Sequence, residues 1–105
     1  MLMEQNNLFD FGMIGLGTMG RNLLLNMADH GFKAIGFDKD PEKGKLLESS
    51  ATAGTTVKGV GSLEALVQQL GAPRKIMMLV PAGKPVDDVI HSLLPLLQPG
   101  DIIID

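Results

Sequence analysis

A chain of 105 residues is one domain's worth, long enough for a single core. Its 45% apolar and 20% charged residues fit an ordinary globular protein, and a net charge of −3 with scattered Lys and Arg argues against a nucleic-acid footprint. The absence of cysteine excludes disulfides, thiol catalysis and Cys-based metal sites, and the two histidines, His30 and His91, are too far apart in sequence for a metal-binding spacing.

Residues 1–7 lack the basic-then-apolar layout of a signal peptide, and no apolar run reaches membrane-spanning length. A cytoplasmic protein without a membrane partner is therefore expected. Residues 9–14 form a short apolar run ending in glycine, which predicts a buried strand. Gly15-Leu16-Gly17-Thr18-Met19-Gly20 follows. Met19, Leu23, Leu24, Met27 and Ala28 then recur at helical spacing, and Gly31 ends that helix. A second strand is predicted over 33–38. Asp40-Pro41 suits a helix start, with Asp40 as N-cap and Pro41 in the first turn. Leu46 and Leu47 give this helix its apolar face, and residues 49–55, small and polar, read as a loop.

A third, weaker strand is predicted over 56–60. Ser62 can cap a helix carrying Leu63, Leu66, Val67 and Leu70, closed by Gly71. Residues 74–80 contain an unbroken apolar run, the pattern of a central parallel strand covered on both faces. Arg74-Lys75 at its start reads as solvated charge. Val86, Val89, Ile90, Leu93, Leu94 and Leu97 repeat at helical spacing, and Pro95 should bend or end that helix. A fifth strand opens over 101–105. Strands alternating with helices predict an α/β domain with a parallel sheet and helices on both faces. Right-handed crossovers then favour a doubly wound, Rossmann-type sheet in the order 3-2-1-4-5.

Gly15, Gly17 and Gly20 form a GxGxxG pattern. In such a motif the first glycine permits the tight turn and the second lets a pyrophosphate approach the backbone. The third lets helix and strand pack closely. Thr18 and Met19 open the helix whose free N–H groups and positive dipole end face the phosphates. A bare GxGxxG is weak evidence. Here a strand precedes it, a helix follows, and Asp38 closes the second strand 18 positions after Gly20, near the spacing for a residue that holds the adenosine ribose. Taken singly, Lys39 reads as a solvated charge and Asp40 as a helix cap before a ligand group; the position at the end of the second strand is what favours the functional reading of Asp38, Lys39 and Asp40. Val80, Pro81 and Ala82 follow the fourth strand, where a doubly wound sheet places its ligand; a simple turn is the alternative. The candidate cofactor residues are thus Gly15, Leu16, Gly17, Thr18, Met19, Gly20, Asp38, Lys39, Asp40, Val80, Pro81 and Ala82. No catalytic and no metal-ligating residue is assigned.

The block from Ile14 to Leu23, then Asn26-Met27-Ala28-Asp29-His30-Gly31-Phe32, resembles the opening of the 6-phosphogluconate dehydrogenases. So do Pro73-Arg74-Lys75, Val80-Pro81-Ala82-Gly83 with Pro85-Val86-Asp87-Asp88, Leu94-Pro95-Leu96-Leu97 and Gly100-Asp101-Ile102-Ile103-Ile104-Asp105. The first block alone would also suit β-hydroxyacid dehydrogenases of the 3-hydroxyisobutyrate type, and a non-catalytic dinucleotide-binding module is a further alternative. The resemblance implies oxidative decarboxylation of 6-phosphogluconate to ribulose 5-phosphate and carbon dioxide with NAD or NADP. It also implies that the acid–base residues and a large helical substrate domain lie outside residues 1–105. The domain is expected to be truncated at Asp105, inactive alone, and part of a homodimeric parent. Many NADP-using members have alanine in place of Gly17 and Asn-Arg-Thr in place of Asp38-Lys39-Asp40. NAD is accordingly the expected cofactor, with NADP the alternative.

Overall fold

The computed structural model describes residues 8–105. Five strands alternate with four helices: β1 (Phe11–Ile14), α1 (Thr18–Asp29), β2 (Ala34–Phe37), α2 (Pro41–Ser50), β3 (Val57–Val60), α3 (Leu63–Gln68), β4 (Lys75–Met78), α4 (Lys84–Leu93) and β5 (Ile102–Ile104). The strands form one sheet in the order β3-β2-β1-β4-β5, every pairing parallel. The fold is α/β and Rossmann-like, in the expected strand order.

Helices cover both faces. Phe11, Met13, Leu16 and Ala34 pack with Leu24 and Ala28 of α1 and Leu47 of α2. Ile14, Ile35, Ile76 and Met78 pack on the other face with Leu66 and Val67 of α3 and Leu93 of α4. All four residues of β1 are buried, as the central strand requires. The two edges differ. On β3 the outward N–H of Gly59 donates to Glu48 Oε2 of α2 at 2.8 Å. On β5, Ile102 and Ile104 are 50% and 40% exposed. Register places them on the α1 face, in line with Lys75 and Met77.

Several local expectations are corrected. Strands are shorter than the apolar runs: Phe9 stands outside β1 in a lone parallel bridge to Leu70, and Leu79 and Val80 lie beyond β4. Likewise Lys33 and Asp38 flank β2, and Thr56 precedes β3. The fourth run is also not fully covered, since Met77 is only half-buried while Ile76 and Met78 are buried. Ser49 and Ser50 belong to α2 and not to a loop; the Ser49 hydroxyl donates back to the Leu46 carbonyl at 3.1 Å, so its polarity is satisfied within the helix. Leu46 points outward at 46% exposure, and Leu47 alone fills the α2 side of the core. Met19 and Leu23 are likewise exposed, so the buried stripe of α1 is Gly20, Leu24 and Ala28.

Caps follow the sequence more closely. Asp40 accepts from Glu42 N at 3.0 Å, with Pro41 in the first turn of α2. Ser62 caps α3 by accepting from Ala65 N at 3.1 Å. Helix α4 ends in a 3₁₀ turn, Leu94–Leu96, at Pro95. Among the described residues no helix is long and apolar enough to cross a membrane.

Arg74 corrects a further expectation. It is not solvated charge. Its Nη1 pairs with Asp101 Oδ2 at 3.1 Å, the two side chains being 15% and 2% exposed. Arg74 Nε also donates to the Val67 carbonyl at 3.0 Å. Asp101 accepts from Arg74 N at 2.7 Å and Gln98 N at 2.9 Å. Burial alone would raise the Asp101 carboxyl; the two backbone N–H donors and the Arg74 guanidinium outweigh it and hold it below the usual carboxylate range. This cluster fastens the starts of β4 and β5, at the end of the sheet opposite the carboxyl ends of the strands.

Candidate functional site

The carboxyl ends of β1, β2 and β4 are drawn together by backbone bonds from the residues that follow them. Gly15 N donates to the Phe37 carbonyl at 2.9 Å, and Leu79 N to the Ile14 carbonyl at 2.8 Å. Helix α1 leaves this point on one face of the sheet and α4 on the other, so a crevice opens between β1 and β4.

The three glycines of the loop have separate physical roles. Gly15 has φ +99°, and a Cβ there would lie 2.2 Å from the Leu79 carbonyl oxygen. A Cβ on Gly20 would lie 2.1 Å from the Gly15 carbonyl oxygen, so α1 rests directly on the turn. Both positions are closed by backbone that cannot move aside. At Gly17 a Cβ would meet nothing within 4 Å, and the residue lines the crevice. Its conformation, φ −65° and ψ −177°, is open to any residue, so packing does not demand glycine there.

Gly17 is also the N-cap of α1, and it provides no side-chain cap; the first turn carries no acidic residue. Helices α2 and α3 are both capped by a side-chain oxygen, and each carries a Glu in its first turn. The start of α1 therefore presents donors and the positive end of its dipole toward the crevice without an internal acceptor from a side chain.

Asp38 follows β2. Its Oδ2 accepts from Leu16 N at 2.8 Å and its Oδ1 from Asp40 N at 2.9 Å. Among the described residues no cation lies within ion-pairing distance of it. The crevice measures about 470 Å³ and is lined by Gly15, Gly17, Asp38, Lys39, Val80 and Pro81, with Phe37, Lys43, Pro85 and Val89 among the rest.

The structure thus brings six of the expected residues to one crevice. Leu16 is fully buried in the α1-side core, and only its main chain reaches the loop surface. Thr18 and Met19 are exposed on the first turn of α1. Asp40 is engaged in capping α2. Ala82 is exposed beside the crevice without lining it. Lys43, Pro85 and Val89 were missed by the sequence reading. Pro85 and Val89 are four apart on α4, and that spacing was readable, but periodicity assigns such a stripe to the core. Lys43 faces the crevice because α2 starts at its rim.

Residues 10–105 match the family model of the NAD binding domain of 6-phosphogluconate dehydrogenase. The chain belongs to this family. It is 49% identical over 96 residues to the decarboxylating 6-phosphogluconate dehydrogenase of Chlamydia pneumoniae, covering 91% of this chain and 20% of that protein. With the Candida albicans enzyme it shares 50% over 97 residues, covering 91% and 19%. The chain therefore spans about a fifth of the length of the curated relatives it matches. Among solved structures, 6-phosphogluconate dehydrogenase of Plasmodium falciparum, described in apo form and with NADP+ and with 6-phosphogluconate, superimposes with a TM-score of 0.85 at 38% identity, covering 91% of this chain and 21% of that one. A 3-hydroxyisobutyrate dehydrogenase of Mycobacterium tuberculosis shares the fold, with a TM-score of 0.76 at 21% identity over 93% of this chain and 31% of that one.

Proposed function

We propose that this chain is the cofactor-binding part of a decarboxylating 6-phosphogluconate dehydrogenase, and that the dinucleotide lies in the crevice between β1 and β4. The observation that carries the reading is Gly17. Two of the motif's glycines are demanded by packing, whereas at the third no atom of the described residues lies within 4 Å of where a Cβ would stand. A diphosphate fits that position: its oxygens accept from main-chain donors at an uncapped helix start, and the missing Cβ allows close approach. Gly15, Gly17, Thr18, Met19 and Gly20 would form the phosphate face, with Leu16 supplying backbone only. Asp38, Lys39 and Asp40 would stand at the adenosine ribose, and Val80, Pro81 and Ala82 on the β4 side.

NAD is the proposed preference over NADP. The Asp38 carboxylate is fixed by two backbone donors and has no paired cation among the described residues, so it cannot turn away from a 2′-phosphate. Like unit charges ~4 Å apart repel by about 4 kcal/mol at an effective dielectric of ~20. Lys39 and Lys43 at the same crevice, together with solvent screening, reduce that margin. A preference of about tenfold, or ~1.4 kcal/mol, is what should survive.

In this reading the substrate, 6-phosphogluconate, and the acid–base residues that oxidise and decarboxylate it belong to a helical domain outside residues 1–105, and the parent is a homodimer. The cofactor supplies hydride acceptance when bound; the residues of this chain bind and orient it. Calorimetric titration of the chain with NAD and NADP at fixed ionic strength tests the proposal. Weak binding with NAD tighter, and no turnover of 6-phosphogluconate, is the expected result. Failure to bind either cofactor would overturn the reading.

A further inference from the structure

We propose that Asp38 is a positioning residue as well as a ribose ligand: its carboxylate holds the phosphate loop in its binding shape, so one side chain governs both the diphosphate and the ribose. This rests on the dinucleotide reading above and deepens it. Gly15 and Gly17 flank Leu16, and a peptide between two glycines has little intrinsic preference for one conformation. Order must come from its packing and its hydrogen bonds. Gly15 N and the Gly17 carbonyl are satisfied by main chain, from Phe37 and Arg21. The Leu16 N–H between them is held by a side chain 22 residues away, Asp38 Oδ2 at 2.8 Å.

The buried Leu16 side chain fixes one side of this peptide in the core, and the carboxylate fixes the other. The second oxygen, Oδ1, holds Asp40 N, and Asp40 in turn caps α2 through Glu42 N. Loop, carboxylate and helix start are thereby joined in one relay. A carboxylate has about four acceptor positions. Two are used here, leaving room for the ribose hydroxyls without releasing the loop. An amide has a single oxygen, so asparagine at this position can replace only one of the two backbone bonds.

The test separates loop from ribose. ADP carries the diphosphate and both ribose hydroxyls; 2′,3′-dideoxy-ADP keeps the diphosphate and lacks the hydroxyls. Titrations of the wild-type chain and of Asp38→Ala with both probes should show the dideoxy probe bound about tenfold more weakly by the variant. Unchanged affinity for the dideoxy probe, with ADP alone weakened, would overturn the positioning role and leave Asp38 a ribose ligand only. Wild-type chain that binds neither probe would instead defeat the dinucleotide reading, and the inference with it. A measurement independent of any variant is the scalar coupling across the hydrogen bond between Leu16 ¹⁵N and Asp38 ¹³Cγ in the ligand-free chain. Its presence is expected, and its absence would overturn the proposal even should Asp38→Ala fail to fold.

Discussion

Asp38 and Asp101 sit at opposite ends of the same sheet, and each accepts two backbone N–H groups. The difference is what else each one has. Asp101 also holds the Arg74 guanidinium and is almost wholly withdrawn from water. Asp38 pairs with no cation among the described residues and faces a crevice. A carboxylate whose acceptor positions are filled from within the chain is a fastening; one left half-filled and open has capacity for something outside. The same contrast separates the glycines, with Gly15 and Gly20 closed by backbone and Gly17 open.

The largest effect should come from breaking the closed end. Asp101→Ala leaves the largely buried Arg74 side chain without its partner, and removing one member of such a pair costs about 3 kcal/mol. Denaturant unfolding should show that loss, while the fraction still folded binds ADP as before. Lost ADP affinity at unchanged stability would reverse the assignment of the two ends.

Gly17→Val tests the open end. Among the described residues nothing lies within 4 Å of a Cβ there, and the cost is that of a poorer N-cap, so stability should fall by no more than about 1 kcal/mol. Dinucleotide affinity should fall at least thirtyfold, about 2 kcal/mol, because the valine occupies the diphosphate's approach. A thermal melt alongside titration distinguishes blocked binding from unfolding.

Asp38→Asn sharpens the comparison further. Both cofactors should weaken through the loop, but NADP less, since the like-charge repulsion is relieved. The ratio of the two affinities should therefore shift toward NADP by about tenfold, ~1.4 kcal/mol. A ratio that does not move would remove Asp38 from cofactor selection.

The smallest effect is in acid. Because the folded Asp101 carboxyl is held below its ordinary value, the unfolded chain binds the proton more readily. The stabilisation is present above the unfolded carboxyl range, near ~3.9, and is lost as pH falls through the lower folded value. Melting temperatures from pH 6 down to pH 2 should fall more steeply for the wild type than for Asp101→Asn. Parallel curves would show that this carboxylate does not drive the acid response.

How much of this was legible in the sequence follows from the range of each interaction. The strand order could be inferred because alternating apolar runs and helices, with right-handed crossovers, leave few arrangements. The caps at Asp40 and Ser62 were readable because the donor lies within three residues. The position of Asp38 was readable from spacing, but its bond to Leu16 was not, since that spans 22 residues. The Arg74–Asp101 pair spans 27 and was misread as solvated charge for the same reason. Leu46 was misplaced because adjacent helical residues point about 100° apart, and the pair alone does not say whether one or both meet the core. Pro85 and Val89 were hidden because a helical stripe does not say whether it meets a core or a crevice.

The unequal edges of the sheet have a consequence for handling the protein. At β3 the Gly59 N–H is taken by Glu48, so an approaching strand finds that donor occupied. At β5 the backbone edge is bordered by exposed Ile102 and Ile104, with no lysine among the three strand residues to repel a neighbour. As an isolated 105-residue chain, it carries its aggregation hazard on the β5 side, away from the β3 edge. A lysine in place of exposed Ile102 or Ile104 should lower aggregation in concentrated solution.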